Sequence, residues 1–159
     1  MVIKIISGGQ TGADRAGLDA AIDLRIDYGG AIPQGRRTED GTLPERYNKM
    51  TELKTKSHPL RTENNVVDSN ATLIFTFKKM GTGSALTLRL AQKHHKPCLH
   101  IDLSKYSDQE AIRMVMKWLS EVQPAILNIA GSRESASGIY GRVFNILKGV
   151  LRHGPRRIP

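Results

Sequence analysis

Three times along this chain a short, strand-like run ends in a turn of glycine and other small residues, and each turn opens into a helical pattern. The strand-like runs are Val2 to Ile6, Ala71 to Phe77 and Ala125 to Ala130. The turns are Ser7-Gly8-Gly9-Gln10-Thr11-Gly12-Ala13-Asp14, Met80-Gly81-Thr82-Gly83-Ser84 and Ala130-Gly131-Ser132-Arg133-Glu134-Ser135. Helical patterns follow over Asp14 to Leu24, Ala85 to His95 and Ile139 to Leu151. Alternation of this kind predicts an α/β fold, a Rossmann-like three-layer sandwich around a mostly parallel sheet of about five strands.

The remaining elements fit that plan. A second short strand is expected to end near Ile32-Pro33, with a brief extended run near Leu53. Arg61 to Ser69 reads as a short helix, and Pro97 to Asp102 as the fourth clear strand. Asp108 can cap a helix running to about Glu121, whose apolar stripe is Ile112, Val115, Met116 and Leu119. The stretch from Gln34 to Met50 is polar and rich in turn formers. It is long for a strand-to-helix connection, and such loops are often functional or mobile. Neither an internal repeat nor a dividing linker is visible. The expectation is one domain over residues 1–159, with 152–159 as a basic flexible tail.

The turns point to a ligand class. The first amides of a helix lack intrahelical acceptors and sit at the positive end of the helix dipole, so they favour an anion. Glycine lets the backbone turn sharply and lets a ligand come close. In a parallel sheet all three turns emerge on one edge, where open α/β folds bind ligands. The candidate binding residues are therefore Gly8, Gly9, Gln10, Thr11, Gly12, Asp14 and Arg15 from the first turn; Gly81, Thr82, Gly83, Ser84 and Thr87 from the second; and Arg133, Glu134 and Ser135 from the third. Arg37, Arg61 and Asn65 join them, because a guanidinium suits phosphate or carboxylate. Arg36 reads instead as a solvated charge, and Asp14 reads equally well as a helix cap or a ligand contact. The first turn matches neither the Walker pattern nor the GxGxxG spacing of dinucleotide binders.

Other chemistry has little support. His94, His95 and His100 do not form a metal set, and with no HExxH pattern or Cys pair no metal site is expected. Cys98, the lone cysteine, reads as a packing residue, and Trp118 as part of a core-facing stripe. Ser7 and Ser84 show no His partner for acyl transfer. No run is long enough to span a bilayer, and no secretory leader is recognisable, so a cytoplasmic location with no membrane partner is expected. The formal charge of +9 raises a basic nucleic-acid-binding module as an alternative. Against that stand scattered Lys and Arg residues and an aromatic content of only 5%, without the basic-aromatic interleaving that stacks bases.

With these motifs assembled, the chain resembles the family called "putative molybdenum carrier". The resemblance rests on Ser7–Ala16, on Pro33-Gln34-Gly35-Arg36-Arg37 with Glu39-Asp40-Gly41, and on Arg61–Val66 with Asp68-Ser69. It continues through Gly83–Thr87, Lys96-Pro97, His100–Leu103 and Leu127–Ser135, in order over nearly the whole chain. That family is similar to molybdenum-cofactor carriers and to the LONELY GUY type of nucleotide phosphoribohydrolase. The resemblance implies a homo-oligomer that holds a nucleotide or a pterin phosphate such as the molybdenum cofactor (molybdopterin) at its strand ends. Where the hydrolase branch carries a glutamate after its glycine turn, this chain has Ala85, which cannot assist proton transfer. The leading expectation is a binding or carrier protein for a phosphorylated or anionic small molecule. The alternative is a hydrolase acting on a nucleotide or sugar phosphate, with Asp14 or Glu134 as its carboxylate. Molybdate itself would suit the same amide and arginine groups.

Overall fold

The computed structural model describes residues 1–152. Its centre is a five-stranded, wholly parallel sheet built from β1 (Lys4–Ile6), β2 (Asp27–Gly29), β7 (Ala71–Thr76), β8 (Cys98–Asp102) and β9 (Ile126–Gly131), in the order β2-β1-β9-β7-β8. Every residue of β7 is buried, as expected for an apolar, β-branched strand covered on both faces. The last strand, β9, lies in the middle, pairing Ile5 with Leu127 on one side and Leu73 with Ile129 on the other. Counted from β9, the order reads third, second, first, fourth, fifth, the doubly wound order. The chain thus starts at the strand that stands second in that order.

Helices α1 (Ala13–Asp23), α4 (Asp108–Val122) and α6 (Tyr140–Leu151) pack together on one face, and α2 (His58–Val67) and α3 (Thr82–Lys93) on the other. The three-layer expectation holds. Between the layers lie Ile5, Leu18, Leu73, Phe75, Ile101, Leu127, Ile129 and Val143, all fully buried. Gly17 lets α1 approach β9 closely, since a Cβ there would sit 2.8 Å from that of Ile129. Helix α4 is set by a capping box between Ser107 and Glu110 and ends at Gln123 in the left-handed conformation. Trp118 packs against the core as expected.

Several boundaries differ from the sequence reading. Helix α2 begins at His58, three residues before Arg61, because Ser57 accepts the Leu60 amide and Pro59 occupies the first turn. The single second strand is in fact two. Gly30, at φ +128°, turns the chain between β2 and β3 (Ala31–Ile32), and β3 leaves the main sheet to pair with β6 (Thr51–Glu52). The segment Gln34–Met50 forms a hairpin of β4 (Arg37–Thr38) and β5 (Gly41–Thr42), then buries Leu43 and Tyr47 completely. Tyr47 donates to Asp19 at 2.6 Å, so this stretch is a packed part of the domain surface. A short helix, α5 (Glu134–Ser137), precedes α6. Apart from Arg152, the expected basic tail lies outside the described residues. No helix among the described residues is long and apolar enough to cross a membrane.

Candidate functional site

All three turns emerge at the carboxyl edge of the sheet, but their amides meet different fates. In the first turn, Gly9 N–H donates to Ser7 Oγ at 3.2 Å, Gln10 N–H to Asp14 Oδ2 at 3.3 Å, and Thr11 N–H to Gln10 Oε1 at 3.1 Å. Ala13 N–H donates to Ser132 O at 3.2 Å. In the third turn, Glu134 N–H reaches Thr11 Oγ1 at 3.2 Å and Ser135 N–H reaches Glu39 Oε1 at 3.1 Å. In the second turn none is taken up. The Thr82, Gly83 and Ser84 amides at the start of α3 find no acceptor among the described residues, and Gly81 caps the helix without a side-chain bond. The three helix openings are thus unequal, with the first and third partly satisfied from within and the second left free. The protein's own Ser7, Asp14, Gln10 and Glu39 oxygens satisfy several of the other amides.

The open turn faces a cavity in two parts. An inner chamber of about 80 Å³ lies between the ends of β1, β7 and β9 and is lined by Gly8, Gln10 and Asp14, by Arg61, Thr62 and Asn65, by Gly83, Ser84 and Thr87, and by Asn128–Gly131 with Arg133. It opens into an outer chamber of about 810 Å³ that shares Arg61, Thr62, Gly83, Ser84, Gly131 and Arg133. His58, Pro59, Phe77, Lys79, Leu86 and Arg89 extend the outer wall. Connections from β7 and β9 leave toward opposite faces of the sheet, which creates a crevice at the point where the winding reverses.

Several polar groups on the wall of the inner chamber are left unused by the protein. Ser84 is 6% exposed and its hydroxyl has no partner among the described residues. Asn128, 3% exposed, spends its Nδ2 on Thr72 Oγ1 at 3.2 Å and keeps Oδ1 free. Gln10 accepts from Thr11 and Glu39 at Oε1, and its Nε2 has no partner among the described residues. Polar groups in this position are met by solvent when the crevice is empty and are available to a ligand that enters it.

Arg61 roofs the chamber. Its Nη1 donates to Gly8 O at 3.0 Å and lies 3.5 Å from Asp14 Oδ2, while its buried Nε has no partner. Gly8 is needed for this approach, because a Cβ there would sit 1.7 Å from Nη1. Burial pushes the Asp14 carboxyl up to about 6, against the opposing pull of Arg61, the Gln10 amide, Arg133 and Arg15. At the mouth, burial and then the charges of Arg61 and Arg133 hold His58 below its usual value. The outer chamber is lined by Arg61, Lys79, Arg89 and Arg133 and, among the described residues, by no carboxylate. The field there is positive.

Of the expected residues, Gly8, Gln10, Asp14, Arg61, Asn65, Gly81, Thr82, Gly83, Ser84, Thr87 and Arg133 line one or both chambers. Asn65 does so with both ends of its amide bound to Ala31. The others stand elsewhere. Gly9, at φ +70°, packs against Leu43 and Ile32, and Gly12 turns the chain beneath Ser132. Arg15 pairs with Asp40 at 2.8 Å and with Gly9 O, tying the hairpin to α1. Arg37 is exposed on β4. Arg36, read as a solvated charge, clamps the carbonyls of Pro44 and Tyr47. Thr11 and Ser135 hold Glu39, and the Glu134 carboxylate accepts the Tyr140 amide at 2.9 Å.

Sequence reasoning missed Asn128, Thr62, His58, Phe77, Lys79 and Arg89. Asn128 left a signal, a lone amide in an otherwise apolar strand. The others did not. Cys98 is partly buried against a small apolar cluster, and burial pushes its thiol up to about 11, in keeping with a packing role. No cluster of metal-ligating side chains is found among the described residues.

Comparisons with known proteins agree with this architecture. Residues 5–151 match the model of the circularly permutated YpsA SLOG family. A crystal structure named "Putative molybdenum carrier protein" from Syntrophus aciditrophicus superposes with a TM-score of 0.91 at 45% identity, covering 94% of this chain and 95% of that one. No curated protein gives a significant match. The permutation in the family's description corresponds to the strand order above, in which the central strand comes last.

Proposed function

The chain belongs to the circularly permutated YpsA SLOG family, and on that premise we propose that it binds an anionic, phosphate-bearing small molecule in the two-part cavity. The carrying observation is the set of unused donors around the two chambers: the Thr82–Ser84 amides, the Ser84 hydroxyl and Gln10 Nε2, beneath a roof of Arg61. Donors without protein acceptors, gathered in a positive field on a crevice wall, favour an anion. The inner chamber has the size of a phosphoryl group or a tetrahedral oxyanion rather than a ring system. The outer one is roomy enough for a nucleoside or pterin, and Phe77, Pro59 and Leu86 offer it apolar wall. The relative's name makes the molybdenum cofactor one ligand to test, alongside nucleotides. The donor set suits a pterin phosphate held by its phosphate, with the metal left uncoordinated.

Calorimetric titration with nucleoside monophosphates, a pterin phosphate and molybdate tests this reading, with Arg133→Ala in parallel. Arg133 is exposed and has no partner among the described residues, so its loss weakens binding without disturbing the fold. Absence of saturable binding for every compound at millimolar concentration refutes the proposal.

A second reading, hydrolysis of a nucleotide or sugar phosphate, rests on Asp14 alone. Among the described residues it is the one carboxylate lining the inner chamber, and it titrates near the pH where a general acid is useful. Release of free base from a panel of nucleoside monophosphates supports that reading, and no release removes it.

A further inference from the structure

An anion chamber walled partly by a carboxylate is electrostatically odd, and the oddity is informative. Asp14 lies on the floor of the inner chamber, with side-chain exposure of 11%. One oxygen, Oδ2, is committed to the Gln10 amide and faces Arg61. The other, Oδ1, has no donor among the described residues. An oxyanion filling the chamber between the α3 amides and Asp14 therefore brings a second negative oxygen against Oδ1.

Two anionic oxygens in contact in a partly desolvated site repel strongly, unless a proton lies between them. The charged groups facing Asp14 are Arg61 from α2, Arg133 from the turn before α5, and Arg15 on its own helix. Helix α3 offers only neutral Ser84 and Thr87, and strand β9 only neutral Asn128. Arg61 and Arg133 soften the repulsion but donate nothing to Oδ1.

We infer that the inner chamber binds its oxyanion together with one proton held between Asp14 Oδ1 and a ligand oxygen, so that Asp14 selects for anions that can carry or receive that proton. This rests on the anion-binding reading above and adds a selectivity rule to it. Either partner can bring the proton. Below about pH 6 Asp14 holds it and donates. Above that pH the ligand must supply it, or it must be drawn from solvent. Hydrogenphosphate keeps a proton well above neutrality and brings its own. Sulfate and molybdate, fully ionised in this range, bring none. A phosphate monoester loses its second proton at about pH 6, so its binding also draws one from solvent at higher pH.

The test uses the intact protein with sulfate and inorganic phosphate as probes, titrated between pH 5.5 and 8.5. Sulfate affinity is expected to fall about tenfold per pH unit above pH 6, the slope of one-proton linkage. Phosphate affinity should stay within about threefold between pH 7 and 8.5 on the same linkage argument. Calorimetry in buffers of different ionisation enthalpy at pH 7.5 should count one proton taken up per sulfate and none per hydrogenphosphate. Asp14→Asn keeps an acceptor for the Gln10 amide and gains a donor, so its sulfate affinity should lose the pH slope and exceed that of the wild type at pH 8.

Identical pH profiles for the two anions in the wild-type protein, or zero proton uptake with sulfate, overturn the inference and leave the anion pocket standing. An undiminished sulfate slope in a folded Asp14→Asn protein also overturns it. Failure of sulfate alone to bind at pH 5.5 overturns this inference and leaves the pocket standing, whereas failure of both anions counts against the pocket reading and this inference together. The wild-type comparison needs no variant, so a folding defect in Asp14→Asn does not shield the inference.

Discussion

Glu39 Oε1 accepts the backbone amide of Ser135 at 3.1 Å, across 96 positions of sequence. The same carboxylate also receives the hydroxyls of Thr11 and Ser135. Glu39 therefore fills, from the Arg37–Thr42 hairpin, the place an external anion would take at the start of α5. Its carboxyl is held below the usual range, first by the Ser135 hydroxyl and then by Thr11. The consequence is a division of labour among helix openings that look alike in sequence. One is partly closed by its own turn, one partly by a distant carboxylate, and one is left free by the protein.

Glu39→Ala should loosen the hairpin without emptying the cavity. Three donors lose an acceptor, but the site is exposed and solvent can replace much of what is lost, so the expected cost is about 1 kcal/mol. In a domain of this size that is a drop of about 2–4 °C in melting temperature. Anion affinity should stay within about twofold, since Glu39 does not line either chamber. An affinity gain much above that shows that Glu39 competes with the ligand.

How much of this was legible beforehand depended on the range of the interaction. Local patterns carried the sheet and most of its helices: the β-branched run of β7, the stripe and Ser107 cap of α4, and the glycine turns at the strand ends. The convergence of Asp14, Ser84 and Arg133 followed from topology, because parallel strands deliver their turns to one edge. The placing of Arg61 depends on how α2 packs and was not legible. The pairing of Glu39 with Ser135 had no local signature. It closes a loop of many residues, and its acceptor sits in a polar stretch that reads as solvated. The split between β2 and β3 was hidden for a related reason. Gly30 looks like an ordinary turn glycine until Ser7 is known to pass it, with a Cβ at Gly30 falling 2.1 Å from Ser7 O.

Gly8→Ala offers a selective way to move Arg61. The new methyl would occupy the position of Nη1, which is the far end of a flexible side chain, so the guanidinium swings away and the backbone stays. The bonds to Gly8 O and Asp14 are lost together. Anion affinity is expected to fall about tenfold or more, the scale of one charge-assisted hydrogen bond. Circular dichroism should remain that of the wild type. Unchanged affinity would show that Arg61 is a structural strut over Gly8 and nothing more.

Two other glycines should behave in opposite ways. Gly131 sits at φ +151° with Phe75 O only 2.0 Å from where a Cβ would fall, between the strands that floor the crevice. Backbone cannot yield there as a side chain can, so Gly131→Ala should cost about 3 kcal/mol or more. Gly83 lies in the first turn of α3 with nothing within 4 Å of such an atom. Gly83→Ala should leave stability unchanged or raise it by up to about 1 kcal/mol through helix propensity. Its methyl would stand at the entrance shared by both chambers, so ligand affinity should drop. Urea denaturation and titration of the two variants separate these effects, and equal destabilisation would contradict the open geometry of the α3 turn.

Asp14 should also be visible in the stability of the ligand-free protein. Its carboxyl rises from 3.8 to about 6 on folding, so within that window the folded chain holds a proton that the unfolded chain has released. Stability therefore falls as pH rises from about 4 to 6, and the loss is complete above the folded value. A shift of about two units corresponds to about 3 kcal/mol, at 1.36 kcal/mol each. Asp14→Asn removes the ionisable group while keeping an acceptor for the Gln10 amide. The variant should be more stable than the wild type by up to about 3 kcal/mol at pH 7, and the gain should vanish near pH 4. Chemical denaturation at both pH values, in buffers free of phosphate and sulfate, measures the difference. A gain at pH 7 alone marks Asp14 as a residue that weakens the empty fold, as expected of a group placed for a ligand. A pH-independent difference would show instead that its burial carries no electrostatic cost.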